Sequence, residues 1–576
     1  MLRTRHPSPR TRRRPLAGAA LSVLLLSGAA LLAQRPGAGT PPAGEELFAD
    51  IVSVNVVNVD VFVTDKKGNS ITGLTKDDFQ IFEDKKPMAV TNFYAIEGGK
   101  PTAASDPPPA QAPAAPAAAA VPEPVSEDQR LRLVVYIDNF NLNPFNRNRV
   151  MRELRTFLNQ KLSREDRVML VTYDRSLKVR RTFTSDPALI AAALGDLETV
   201  SGHAVHHESE RRDALTRIEE SQSPAQAMQF ARSYAESIFN DLNFTIDALK
   251  TQVDMLAGMP GRKAVLYISD GLPMTAGQEL FYAVEQKFGQ TGGASLTESF
   301  RFDASRRFRE LTSQANANRI TFYTIDAGGL RTYGSISAEH GGGAGQSVFL
   351  DQITMSNLQS PLQYMAETTG GQAVINANNV LPHLEKIARD FQTYYSLGYS
   401  PAHLGDGRYH TIEVKVKRKG IVVRHREGYR DKSPEAQMAD GTLAALNFPY
   451  EENPLAIEVT FDRASRKDDG HYLLPVQVKI PLAKLLLIPR EQSHEGAVRL
   501  YFAVMDSEGG TSDVQQARVP IRIPNAEVAN ARGKHYTYSI TLLMRGGDHR
   551  VAVGAHDDVG SERSFLSRMV RVGAGP

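Results

Sequence analysis

The chain has 576 residues, 41% of them hydrophobic and 23% charged, with a formal net charge of +2 and no cysteine. That length implies three or more domains with ample apolar material for their cores. The missing cysteine excludes thiol catalysis, cysteine-ligated metals and disulfide stapling, and the near-neutral charge argues against a nucleic-acid partner.

Six arginines in residues 1–14 precede the apolar stretch Leu16–Ala33, and residues 1–33 hold no acid. A positive start, an apolar run and the small-residue sequence Ala30-Leu-Leu-Ala33 form the pattern of a signal peptide. At 18 residues, 16–33 is also just long enough to anchor the chain in a membrane, so both readings stand. Arg12-Arg13-Arg14 permits twin-arginine export as well. Removing residues 1–33 takes the formal charge from +2 to −4. The protein is therefore expected to be exported to the periplasm, the cell surface or the medium, or to stay in the inner membrane through an uncleaved leader.

Residues 46–97 predict a small β-rich unit, because Ile51–Val63 alternates apolar and polar with the period of a half-buried strand. Residues 98–128 are rich in proline and alanine, lack periodicity and predict an extended linker. From 130 to 400 strands and helices alternate, with strands at 131–138, 167–173, 178–183, 264–269, 320–326 and 372–376. The helices fall at 144–161, 187–198, 206–221, 225–257, 300–317, 359–369 and 380–393. Such alternation implies a parallel sheet covered on both faces. Residues 271–299 and 327–357 read as long glycine-containing loops. Residues 401–432 predict a hairpin turning at Lys419-Gly420, its alternating Lys415–Arg426 run leaving one face positive. Residues 450–574 predict about seven short strands in an immunoglobulin-like sandwich.

Two apolar runs deliver an acid to their carboxyl ends: Leu133-Val-Val-Tyr-Ile-Asp138 and Ala264-Val-Leu-Tyr-Ile-Ser-Asp270-Gly271. In an open parallel sheet, ligands bind at such strand ends. With Asp166-Arg-Val-Met-Leu-Val-Thr-Tyr-Asp174 and Ile320-Thr-Phe-Tyr-Thr-Ile-Asp326, these runs resemble a von Willebrand factor A (vWA) domain over roughly 270 residues. The Val-Thr-Asp-Lys-Lys-Gly and Gly-Leu-Thr-Lys-Asp-Asp-Phe-Gln-Ile-Phe-Glu-Asp segments, Tyr395-Ser-Leu-Gly-Tyr-Ser-Pro401 and the hairpin ending at Gly428-Tyr429 resemble the vWA-related proteins of acidobacterial envelopes. The resemblance implies a multidomain chain: a central α/β, Rossmann-like vWA domain over 130–400, a small β-rich amino-terminal unit and, outside the resemblance, the carboxyl-terminal β-sandwich.

The resemblance also implies where an ion would bind. Such domains typically hold Mg²⁺ through an Asp-x-Ser-x-Ser strand end, a loop threonine and a second Asp-Gly, because a hard cation prefers oxygen donors. Asp138 and Asp270 fill the first and last positions here, but Phe140 and Leu142 replace the serines. Asn139 and Asn141 lie one residue out of phase, and Ser201-Gly202-His203-Ala204 stands where the threonine loop is due. The expectation is a degenerate site, no cofactor and no enzyme. Phe140, Asn141 and Phe145 become candidate contacts for a protein partner, on a face formed by 140–148, 275–297 and 327–355.

The alternative keeps Mg²⁺ or Mn²⁺ on Asp138, Asn139, Asn141 and Asp270 as an adhesion module. A third reading is a hydrolase built on His203, His206, His207, Glu208 and Glu210, two pairs of which have the i,i+4 spacing of metal ligands; a solvated helix start explains the same residues. Gly341–Gly345 lacks the Gly-Lys-Ser/Thr ending of a phosphate loop.

Overall fold

The computed structural model describes residues 56–102, 130–161, 166–200, 204–289, 294–331, 348–450 and 452–573. The leader at 1–33, most of the 98–128 linker, His203 and Gly341–Gly345 lie outside them. The described chain divides after Asp440 into two compact units.

The first unit begins with β1 (Val57–Asp65), β2 (Phe79–Glu83), β3 (Lys86–Met88), β4 (Asn92–Glu97) and β5 (Lys100–Thr102). Here the expected linker starts late, since Gly98 and Gly99 turn at positive φ and Lys100–Thr102 pairs with β4. The α/β region follows: β6 (Leu131–Asp138), α1 (Pro144–Lys161), β7 (Arg167–Tyr173), β8 (Leu177–Thr184), α2 (Pro187–Leu197), α3 (Ala204–Glu220), α4 (Pro224–Leu256), β9 (Arg262–Ser269), α5 (Gln278–Phe288), α6 (Ala294–Ser299), α7 (Ser305–Ala317), β10 (Ile320–Asp326), α8 (Val348–Thr368), β11 (Ala373–Val374) and α9 (Leu381–Gln392). The sheet order is β11-β10-β9-β6-β7-β8, parallel except for β8.

All eight residues of β6 are buried, as a strand covered on both faces must be. On one face Leu133, Val135 and Ile137 pack with Val150 and Leu154 of α1, Ile190 and Leu194 of α2, and Leu384 and Ile387 of α9. The opposite layer contains α4, whose start is fixed by Ser223 accepting the Gln226 N–H and by Pro224 in the first turn, a strong helix-start combination.

Three expectations change. The loop read at 271–299 contains α5, which packs Leu280, Phe281 and Val284 against Ala227, Ala231 and Ala235 of α4. The helix expected at 359–369 starts at Val348; polar residues interrupt its apolar stripe, among them Asn357, which is buried, accepting the Thr275 N–H at 2.9 Å and donating to the Thr275 carbonyl at 2.8 Å. The helix expected at 300–317 breaks into a 3-10 turn, Phe300–Phe302, and α7, where Asp303 accepts the Ser305 N–H.

Chain segments on either side of the α/β region close the unit: β12 (Tyr394–Tyr399), β13 (Tyr409–Val416), β14 (Ile421–Arg424) and β15 (Gly428–Arg430). Read in sequence as two separate units, 46–97 and 401–432 in fact share two sheets, β14-β1-β12-β4-β5 and β15-β13-β2-β3. β1 pairs with β12 through Val57–Val61 and with β14 through Phe62–Asp65. Val59, Val61, Leu397 and Tyr399 of one sheet meet Phe79, Ile81, Ile412 and Val414 of the other in one core.

The predicted hairpin is therefore not a ladder. The chain reverses at Gly420 (φ +80°), but β13 and β14 join different sheets. Nor is its end a positive face: Arg424 grips Asp390 with two hydrogen bonds of 2.9 and 2.8 Å, and Arg426 donates inward to the Asn58 carbonyl.

The second unit packs two antiparallel sheets around one core, with Leu474, Val476 and Val478 of Tyr472–Pro481 facing Leu500, Phe502 and Val504 of Ser493–Asp506. Its central strand has 14 residues, longer than the short strands that the turn signals suggested.

Candidate functional site at the carboxyl ends of the central sheet

The strand order reverses between β6 and β9, and the crevice at such a switch point is where open α/β sheets bind ligands. Asp138 ends β6, Asp270 follows β9, and Asp326 ends β10, so three carboxylates reach this edge. What they do depends on what they meet.

Asp138 has no solvent exposure. Its Oδ1 accepts the Asn141 N–H at 3.1 Å, and its Oδ2 accepts Asn141 Nδ2 at 3.0 Å and the Tyr267 hydroxyl. Burial raises its carboxyl to about 6, against the lowering effect of those donors, because a low-dielectric site penalises the charged form. Asn141 Nδ2 also reaches Thr245 Oγ1 at 3.2 Å. Asp270 is half-buried. It accepts the Asn143 N–H at 2.7 Å and Asn146 Nδ2 at 3.1 Å, while its own N–H donates to the Asn141 carbonyl. Burial raises this carboxyl too.

Asp326 is fully buried. It accepts the Gly328 N–H at 3.0 Å, Gln359 Nε2 at 2.9 Å and Arg331 Nη2 at 2.9 Å. The same Arg331 nitrogen donates to the Asp270 carbonyl. A guanidinium thus links the ends of β9 and β10.

Of the four residues read as candidate ligands, Asp138, Asn141 and Asp270 come together and Asn139 does not. Asn139 is buried with its Oδ1 turned to Arg147 Nη1. The hydroxyl positions are core: Leu142 joins the apolar layer with α1, and Phe140 is 1% exposed. Phe140 stacks edge-on against Tyr173 and His207, with the Arg175 guanidinium 5.3 Å from its ring centre. This corrects the reading of Phe140 as an exposed partner contact; a large ring two residues beyond a buried strand end is drawn into the core. Phe145, by contrast, is 77% exposed, and Asn141 is half-buried.

The histidine cluster separates. His206 pairs with Glu210 at 3.1 Å on the exposed side of α3, Glu208 pairs with Arg211, and His207 turns inward to Phe140 and to Asp241 at 3.6 Å. Tyr267, Thr245, Asn146, Arg331 and Gln359 were not singled out in the sequence. A polar residue inside an apolar helix stripe, as Thr245 is between Leu242 and Ile246, is the signal that would have found one of them.

No family model and no curated protein matches the chain. Solved structures resemble parts of it. They include an aerotolerance-related membrane protein from Bacteroides fragilis, 11% identical, covering 45% of this chain and 98% of that one at a TM-score of 0.22. The conserved hypothetical protein BatB from Bacteroides thetaiotaomicron is 11% identical, covering 45% and 96% at 0.20. Manganese-loaded TRAP protein from Plasmodium vivax is 10% identical, covering 52% and 95% at 0.22. Values this low assign neither family nor function.

Proposed function

We propose that the chain is an exported, non-enzymatic protein-interaction module of a bacterial envelope, with a vWA-like domain that binds its partner without an ion. The observation behind this reading is that the three strand-end carboxylates spend their acceptors on the protein's own donors: Asn141 and Tyr267, Asn143 and Asn146, Gln359 and Arg331. A divalent ion needs several oxygens free to coordinate it, and Phe140 and Leu142 supply none.

The binding face is the surface of the connections that leave the carboxyl ends of the strands. Phe145 opens α1, Leu330 follows β10 and Phe349 opens α8, and these three are 77, 64 and 54% exposed. Among the described residues no helix is long and apolar enough to cross a membrane.

The test follows the melting temperature under Mg²⁺, Mn²⁺ and Ca²⁺ and, separately, capture of a partner from envelope extract. No shift at millimolar ion, with capture reduced by Phe145→Ala or Phe349→Ala, supports the reading. An ion-dependent gain that Asp138→Ala and Asp270→Ala abolish would replace it with the metal-dependent adhesion module.

A further inference from the structure

The β1–β15 sandwich holds a second set of polar groups, remote in sequence from the strand-end acids. Glu83 ends β2, His403 lies between β12 and β13, and His410 is in β13; each offers one donor atom, and the three atoms lie within 4.8 Å of one another. His403 Nε2 is 3.3 Å from Glu83 Oε2. Donors around a four-coordinate ion with bonds of about 2.0–2.1 Å sit about 3.3 Å apart, so that separation needs no rearrangement. The imidazoles stack with centres 3.8 Å apart.

The surrounding groups hold these donors in place. Tyr399 and Tyr429 donate to Glu83 Oε1 at 2.8 and 2.7 Å, which leaves Oε2 directed at His403. Asp431 bonds His403 Nδ1 at 2.8 Å. His410 has a carboxylate at each ring nitrogen, Asp84 at 2.8 Å and Asp406 at 3.2 Å, so whichever nitrogen faces an ion, the other is held. A carboxylate behind each ligating histidine is the usual outer shell of a metal site. Glu83, His410 and Asp431 are buried, while the His403 side chain is 24% exposed and gives an entry path.

We propose that Glu83, His403 and His410 bind one divalent transition-metal ion of the zinc class, with Asp431 orienting His403 and either Asp84 or Asp406, whichever holds the non-ligating nitrogen, orienting His410. Two imidazoles with a carboxylate suit zinc rather than Mg²⁺, which prefers an octahedron of oxygens. The ion would tie β2 to residues some 320 positions later, clamping the first strands onto the last ones of the unit.

The experiment uses the full chain, stripped with chelator and titrated with Zn²⁺, Co²⁺ and Mg²⁺. The expected result is one equivalent of Zn²⁺ at micromolar concentration, a rise in melting temperature of about 3 °C or more by mass action, and visible bands of low-coordinate Co²⁺. His403→Gln and His410→Gln should abolish the Co²⁺ spectrum, while Asp138→Asn leaves it intact. Failure of the wild-type chain to bind Zn²⁺ or Co²⁺ stoichiometrically overturns the proposal, and so does a spectrum that survives both histidine variants.

Discussion

Tyr267 donates its hydroxyl to the carboxylate of Asp138 across the β6–β9 pair, and neither side chain is exposed. Burial also lifts the Tyr267 phenol well above its usual range. The phenol therefore stays protonated and donates at any physiological pH, while the acid it serves titrates near 6.

Asp138 has a folded-state value of about 6, against 3.8 for the free carboxyl. A raised value means that the contribution to stability is fully present below pH 3.8 and lost as pH rises through 6. Asp138→Asn removes that loss. Going from pH 4 to pH 7, the variant should gain about 2 kcal/mol on the wild type. Urea unfolding at the two pH values measures the change; a constant difference would mean that Asp138 does not titrate in this window.

Phe140 and Phe145 lie five residues apart with opposite surroundings. Phe140→Ala should cost about 3–5 kcal/mol, the range for emptying a packed aromatic site. Phe145→Ala should stay within about 0.5 kcal/mol. Thermal or denaturant unfolding of both variants checks the contrast, and equal costs would refute the burial difference.

Arg331 shares one nitrogen between the Asp326 carboxylate and the Asp270 carbonyl. Arg331→Met leaves a buried carboxylate without its cation and should cost about 3 kcal/mol. Adding Asp326→Asn should recover part of that loss, since the uncompensated charge goes with it. A double-mutant cycle reads the coupling, and additive losses would show that the pair is not coupled.

Gly271 follows Asp270 with φ of +111°. A Cβ there would lie 2.8 Å from the Leu358 Cβ and 2.9 Å from its carbonyl oxygen. Gly271→Ala combines backbone strain with that overlap and should cost about 2 kcal/mol or more. Because the Leu272 N–H bonds the Leu358 carbonyl, hydrogen exchange at Leu272 should quicken in the variant; unchanged exchange would count against the close approach.

Periodicity made the central sheet legible, because a strand buried on both faces is a continuous β-branched run and Asp138, Asp270 and Asp326 each end one. The missing hydroxyls were legible for the same reason, since Phe140 and Leu142 stand in the sequence where oxygens were due. The fate of Phe140 was not, because its partners come from two other segments, Tyr173 and Arg175 at the end of β7 and His207 in α3. The same limit hid Arg331, whose role depends on two acids brought together only by the sheet order. α5 and the first turns of α8 escaped because buried polar groups such as Asn357 blur an apolar stripe. Pairing was the least accessible: nothing local to Val57–Asp65 names Tyr395 or Val423 as its neighbours.

The position of β1 between β12 and β14 has a consequence for how the chain is made. Ribosomes release the amino end first, yet the partners of Val57–Asp65 lie at 395–399 and 421–424. More than 300 residues, including the whole α/β region, are synthesised before that strand can be paired. Until then a Val-rich edge stays open to any other strand it meets, so early chaperone binding or rapid completion of residues up to 430 decides whether it folds or aggregates.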